Sequence, residues 1–196
     1  EGRQVVTAYG ERSKRVASAT FEVAKSVNQK PFDRVAPIAS TDAKVYFAET
    51  GHTLGNAFLR YWQAHGGLAI FGFPISEEFT EISEADNKPY TVQYFERNRF
   101  EYHPENAGTE FEVLLGLLGN DVTEGRKFDQ ALAPFESTDS RAYFPQTKHS
   151  LSAEFLQYWR ANGGLAVFGF PISEPFLEVS KDDGKSYLVQ YFERNR

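Results

Sequence analysis

The sequence predicts an α+β fold built from tandem repeats, each a short capped helix followed by a small antiparallel β-meander. Three observations predict it. The stretch GGLAIFGFPISE at Gly66–Glu77 returns as GGLAVFGFPISE at Gly163–Glu174, differing only at Ile70 and Val167. Shifted along itself, the chain matches without a gap over Tyr46–Arg99 and Tyr143–Arg196, with about two thirds of the positions identical. The aromatic share of 15%, drawn mainly from 18 Phe and 10 Tyr, favours strands over a helical bundle. A unit of this length is too long for a solenoid coil and too short for a comfortable independent domain, so each copy is expected to bury apolar surface against its neighbour.

Composition narrows the function. With 196 residues and 41% hydrophobic side chains, the chain can fill a core. A net charge of −6 and the acid beside the arginines in each ERNR run argue against nucleic acid, which needs a clustered positive face. The charge is uneven: Glu1–Lys30 carries about +3 and the remainder about −9, a basic arm before an acidic body. The absence of cysteine excludes disulfides, thiol catalysis and thiolate metal sites. No apolar run approaches the ~18 residues of a membrane span. The start at Glu1 rather than methionine is what a processed or partial chain would have.

Three segments succeed one another: an N-terminal helical arm over 1–30, repeat 1 over 31–126 and a C-terminally incomplete repeat 2 over 127–196. In the arm, Val16, Thr20, Val23 and Val27 fall at helical spacing, as do Ala17, Phe21 and Ala24, predicting an amphipathic helix over Ser13–Val27. Such an arm either covers the first repeat or docks on another subunit. The lead-ins, Pro31–Phe47 and Lys127–Phe144, contain Pro37 and Pro134 and are expected to be extended connectors.

Each repeat then carries its helix. Leu54, Phe58, Leu59 and Trp62, matched by Leu151, Phe155, Leu156 and Trp159, recur on one helical face, and Thr53 and Ser150 stand where they would cap it. Gly66 and Gly163 suit the left-handed stop, with Leu68 or Leu165 folding back on the last turn. In FGFP, Pro74 and Pro171 keep Phe73 and Phe170 extended, which predicts a short strand or tight turn with Phe71 and Phe168 packed at its start. Strands come next at Phe79–Ile82 and Phe176–Val179, with hairpin turns at Ser83–Pro89 and Ser180–Ser186. The returning strand YTVQYFERNR is expected to continue through FEYH to Pro104, turn at Glu105–Gly108 and return as TEFEVLLGLLG. In the second copy these last strands have no counterpart, which predicts an open strand edge met by further chain or by another segment, a neighbour's N-terminal arm being one.

The helix ending in Tyr-Trp, the Gly-Gly pair, the FGFP-Ile-Ser-Glu turn and the aromatic hairpin resemble the LGFP-type repeats of bacterial secreted and cell-envelope proteins. They are closer still to the longer FGFPISEEF/QYFERNRFEYHPE repeat of exported proteins from Chloroflexi-like bacteria. The resemblance covers about Phe32–Gly119 and Phe128–Arg196. It implies an extracellular or cell-surface, non-catalytic module that holds its host protein to envelope glycans, with repeats set in a propeller-like array. Phe71 and Phe168 stand where the shorter family has leucine.

The residues themselves offer little reaction chemistry. His52, His65, His103 and His149 show neither HxH nor HExxH spacing, so no metal is expected, and no Rossmann, P-loop or GxSxG pattern implies a cofactor or nucleophile. Glu77 and Glu96 recur as Glu174 and Glu193. An identical pair in adjacent repeats suits salt bridges to Arg97, Arg99, Arg194 and Arg196 better than one glycosidase site. The ligand-binding candidates are the aromatic hairpins: Tyr90, Tyr94, Glu96, Arg97 and Tyr102 in repeat 1, and Tyr187, Tyr191, Glu193 and Arg194 in repeat 2. Flat rings there can stack on sugars while polar neighbours bond hydroxyls. Trp62, Gly66, Phe71, Pro74, Trp159, Gly163, Phe168 and Pro171 are expected to be structural. Two functions compete: glycan binding at the cell surface, and self-assembly into a layer or filament of neighbouring copies through the basic arm.

Overall fold

Each half of the N-terminal arm carries three β-branched residues, Val5, Val6 and Thr7 in one and Val16, Thr20 and Val23 in the other, and the two halves pair as a hairpin. In the computed structural model, described over residues 2–9, 16–23, 30–83, 86–124, 126, 128, 132–181 and 183–196, the chain divides into two units, Glu1–Asp33 and Arg34–Arg196. In the first, β1 (Gly2–Tyr9) pairs antiparallel with β2 (Val16–Val23), Gly2 opposite Val23 and Tyr9 opposite Val16. This corrects the helix expected over Ser13–Val27 and with it the helical arm. The remainder of that stretch lies outside the described residues. Val16, Thr20 and Val23 sit at helical spacing but lose side-chain freedom in a helix, and Val5, Val6 and Thr7 stand ready to pair with the same segment.

In the second unit the elements run β3 (Lys44–Phe47), β4 (His52–Gly55), α1 (Asn56–Ala64), α2 (Gly67–Phe71), β5 (Phe79–Ile82), β6 (Pro89–Tyr94), β7 (Arg99–Tyr102), β8 (Val113–Leu115) and α3 (Leu118–Val122). The series then restarts with β9 (Arg141–Phe144), β10 (His149–Ser152), α4 (Ala153–Ala161), α5 (Gly164–Phe168), β11 (Phe176–Val179) and β12 (Ser186–Val189). All sheets are antiparallel. β5 to β8 form a four-stranded meander in sequence order, whereas β11 and β12 form a two-stranded sheet. Among the described residues there is no closed barrel or propeller. One core serves both halves: Leu54, Phe58, Phe71 and Phe100 belong to the same buried cluster as Leu151, Leu156, Val167 and Phe192.

The helix start differs from the expectation. Thr53 and Ser150 are not caps but members of β4 and β10, and α1 and α4 begin at Gly55 and Ser152 without a side-chain cap. The Glu77 carboxylate draws Thr53 away, accepting from its backbone N–H at 2.8 Å and from its hydroxyl, while Glu174 holds Ser150 in the same way. Each strand enters its helix through a left-handed residue, Asn56 (φ 52°) or Ala153 (φ 48°). Asparagine tolerates that conformation and alanine does not. Ala153 is exposed, so Ala153→Asn is expected to stabilise the protein by about 1 kcal/mol, read as a higher denaturant midpoint.

Gly66 and Gly163 adopt left-handed φ values of 101° and 100° after the helices, and a Cβ there would press into Ile70 or Val167. The chain then enters another helical turn, α2 or α5, and Leu68 and Leu165 do not fold back. These leucines are 45% and 44% exposed. The extended segment begins one step later, where Pro74 and Pro171 bridge Phe95 and Phe192. The strand expected to run unbroken from Tyr90 to Pro104 is also broken in two. Phe95 N–H bonds Asn98 O at 2.8 Å, making Glu96–Asn98 a tight turn between β6 and β7. The turn is stabilised from outside, by Glu96 N–H to Phe73 O and Arg97 N–H to Phe71 O, contacts that local sequence does not encode.

Candidate functional site

Period-two alternation sorts the side chains of β6, β7 and β8 onto two faces. Phe100 and Tyr102 turn toward α1, where their rings meet Phe58 at 5.8 and 6.5 Å. Arg99, Glu101 and His103 turn the other way with Tyr90 and Leu114, lining a groove of about 580 Å³ closed by Leu117, Asn120, Asp121 and, from the second repeat, Arg194. Its sides thus come from sequence-distant segments. A smaller hollow of about 410 Å³ lies on the α1 face, lined by Phe58, Arg60, Tyr102 and Glu112. Both hollows combine an aromatic ring with both charge signs, and the larger groove is the stronger candidate because it has the greater volume and draws its lining from both repeats.

The polar groups in the groove are ordered by one another. Arg99 donates to Glu81 at 2.9 Å and is paired with Glu101. His103 places Nε2 3.5 Å from Glu101 and Nδ1 3.0 Å from Glu105. The Tyr90 ring lies 4.3 Å from the His103 ring, and its hydroxyl donates to Asp86 at 2.7 Å. That bond pushes the Tyr90 phenol up to about 12 and holds the Asp86 carboxyl below its ordinary range. Tyr90 is therefore a neutral ring beside a carboxylate throughout the physiological range. Arg194 crosses from the second repeat by donating to Leu115 O at 3.0 Å, while it is held within its own repeat by donating to Leu165 O at 3.0 Å.

The other candidates are spread over several places. Tyr94 donates to Glu81 at 3.1 Å and stacks on Phe79, and Tyr191 repeats this with Glu178 and Phe176. Tyr191 is only 7% exposed, and Arg126 lies 5.0 Å from its ring, so an outward ligand role for it is corrected to packing. Glu96 and Glu193 accept from Phe73 and Phe170 N–H at 3.0 Å, and Arg97 donates to Leu68 O of α2. These groups hold the turn between strands. Tyr102 lies in the smaller hollow, and Tyr187 is 47% exposed with its hydroxyl on Asp183. Of the nine candidates, only Tyr90 and Arg194 line the larger groove.

The structural set lies inside. Phe71 is fully buried and Phe168 nearly so, Pro74 is buried, and Trp62 and Trp159 donate their indole N–H to Gly72 O and Gly169 O at 3.0 and 3.1 Å. Sequence reasoning missed Asp86, Glu101, His103 and Asn120 as groove residues. The signal available was alternation: once the turn at Glu96–Asn98 is placed, Arg99, Glu101 and His103 fall on one face with Tyr90. Among the described residues no group of three or more His, Asp and Glu side chains is placed to hold a metal, and no helix is long and apolar enough to cross a membrane.

Comparison with protein-family models, curated proteins and solved structures gives no match to this chain.

Proposed function

We propose that this protein is a non-enzymatic extracellular or cell-surface repeat module that binds an envelope glycan in the groove beside Tyr90. The single observation carrying the reading is the composition of that groove. A tyrosine ring shares it with carboxylate acceptors at Asp86 and Glu101 and with donors at Asn120 and Arg194, over a floor of Leu114 and Leu117. A pyranose ring has the matching surface, an apolar face rimmed by hydroxyls that both donate and accept. Glu101 is committed to Arg99 and Asp86 to Tyr90, an arrangement that orders acceptors for binding. The placement of the repeats in a propeller-like array belongs to the same proposal and rests on the family resemblance alone.

Pull-down on purified cell-wall polysaccharide and a glycan array test the reading. Wild type is expected to be retained, Tyr90→Ala to bind about tenfold more weakly or worse, and Tyr187→Ala to bind as wild type. Wild type that is retained on no glycan removes the proposal.

A second reading, self-assembly through the arm, draws support from β1–β2 forming a unit separate from the body. A two-stranded hairpin is marginal alone and gains from added partners. Deleting residues 1–33 should then abolish salt-sensitive assembly in light scattering, and assembly that persists in the deletion variant excludes it.

A further inference from the structure

The two copies of the repeat share a scaffold but not the polar lining of the smaller hollow on the α1 face. That hollow, of about 410 Å³, is bounded by Asn56 at the start of α1, Glu78 before β5, Thr91 on β6 and Tyr102 on β7. Its volume falls in the range of about 300–1,000 Å³ usual for small-molecule sites. Among the described residues, none of these four side chains makes a hydrogen bond or an ion pair within the protein. In the larger groove, by contrast, Glu101 is committed to Arg99 and Tyr90 to Asp86. The second copy carries Ala153, Pro175 and Leu188 at the positions of Asn56, Glu78 and Thr91. The strand-to-helix entry forms at Ala153 as at Asn56, and β11 pairs with β12 in the register of β5 with β6. Packing of the unit therefore does not require those three polar groups.

We propose that this hollow is a second carbohydrate site, taking one neutral pyranose unit through polar groups that the second repeat lacks. Glu78 accepts from a sugar hydroxyl. The amide of Asn56 and the hydroxyls of Thr91 and Tyr102 each donate or accept as the neighbouring sugar hydroxyl requires. The rings of Tyr102 and Phe58, 6.5 Å apart, supply the apolar surface. Charge decides for a neutral ligand over an amine. Arg60 and Glu112 are paired with each other at 3.1 Å, and Lys44 acts on Glu78 from nearby without forming an ion pair. The positive end of α1 also faces the hollow and disfavours a cation by about 0.3–1 kcal/mol. The site shares no lining residue with the Tyr90 groove, so it stands or falls separately from the reading of that groove.

The test titrates methyl glucoside, methyl galactoside and methyl mannoside into isotope-labelled protein and follows the backbone amide resonances. Methyl glucosaminide, whose amine is protonated, is the charged comparison. Saturable shifts at Phe58 and Tyr102 are expected with at least one neutral sugar and should persist in Tyr90→Ala. They should weaken about tenfold or more when Asn56→Ala, Glu78→Pro and Thr91→Leu are combined, substitutions that install the residues of the second copy. Thr91→Leu alone should weaken them in the same direction, and resonances away from the hollow report that each variant keeps its fold. No shift with any of the sugars, equal binding by the combined variant, or tighter binding of the glucosaminide overturns the proposal. Shifts confined to His103 and Asn120 also overturn it, because the sugar would then occupy the larger groove.

Discussion

Gly119→Ala is expected to destabilise the protein by about 3 kcal/mol, although it places a better helix former inside a helix. Gly119 lies in α3 with its α-carbon against the second repeat. A methyl group there would overlap the carbonyl oxygen of Phe192, a backbone atom that cannot swing aside as a flexible side chain can. Relief requires α3 to lift. Lifting breaks the 3.2 Å bond from Asn120 N–H to Glu193 O and strains the 3.0 Å bond from Arg194 to Leu115 O, each worth about 1 kcal/mol. The propensity gain of alanine over glycine is about 1 kcal/mol in the other direction, so overlap wins. Denaturant unfolding decides it, with Val122→Ala as the control: Val122 shares the helix, is 67% exposed, and should shift stability by about 0.5 kcal/mol or less. A Gly119→Ala protein as stable as wild type would mean that the two repeats do not meet through this helix.

Phe100→Ala should cost about 3–5 kcal/mol, the range for truncating a buried phenylalanine. Its ring is fully buried among four others, and no backbone rearrangement short of moving β7 can refill that volume. The value comes from equilibrium unfolding curves with unchanged slope, and a variant as stable as wild type would contradict that packing.

Local rules placed much of the second unit. Apolar residues at Phe58, Leu59 and Trp62 marked α1, the glycine at Gly66 marked its end, and the Asp-Asn and Asp-Gly turns marked the hairpins β5–β6 and β11–β12. Each of these signals is read within one turn of chain. The failures share a cause. Thr53 looked like a cap because its carboxylate partner, Glu77, lies 24 residues away, and Glu96–Asn98 looked like strand because the groups that turn it lie on Phe71 and Phe73. The arm looked helical because spacing outweighed composition, and cross-strand pairing reversed that order.

By itself the sequence determined that one stretch occurs twice, where α1, α4 and the hairpins β5–β6 and β11–β12 lie, and that thiol chemistry is absent. Tertiary structure alone decided that Tyr90 lines a groove while its counterpart Tyr187 is 47% exposed, because β7, β8, α3 and Arg194 are brought against the first hairpin. Near-identical hairpins thus acquire different surfaces. Burial depends on what the rest of the chain brings against a strand, and that information is not carried in the strand's own residues.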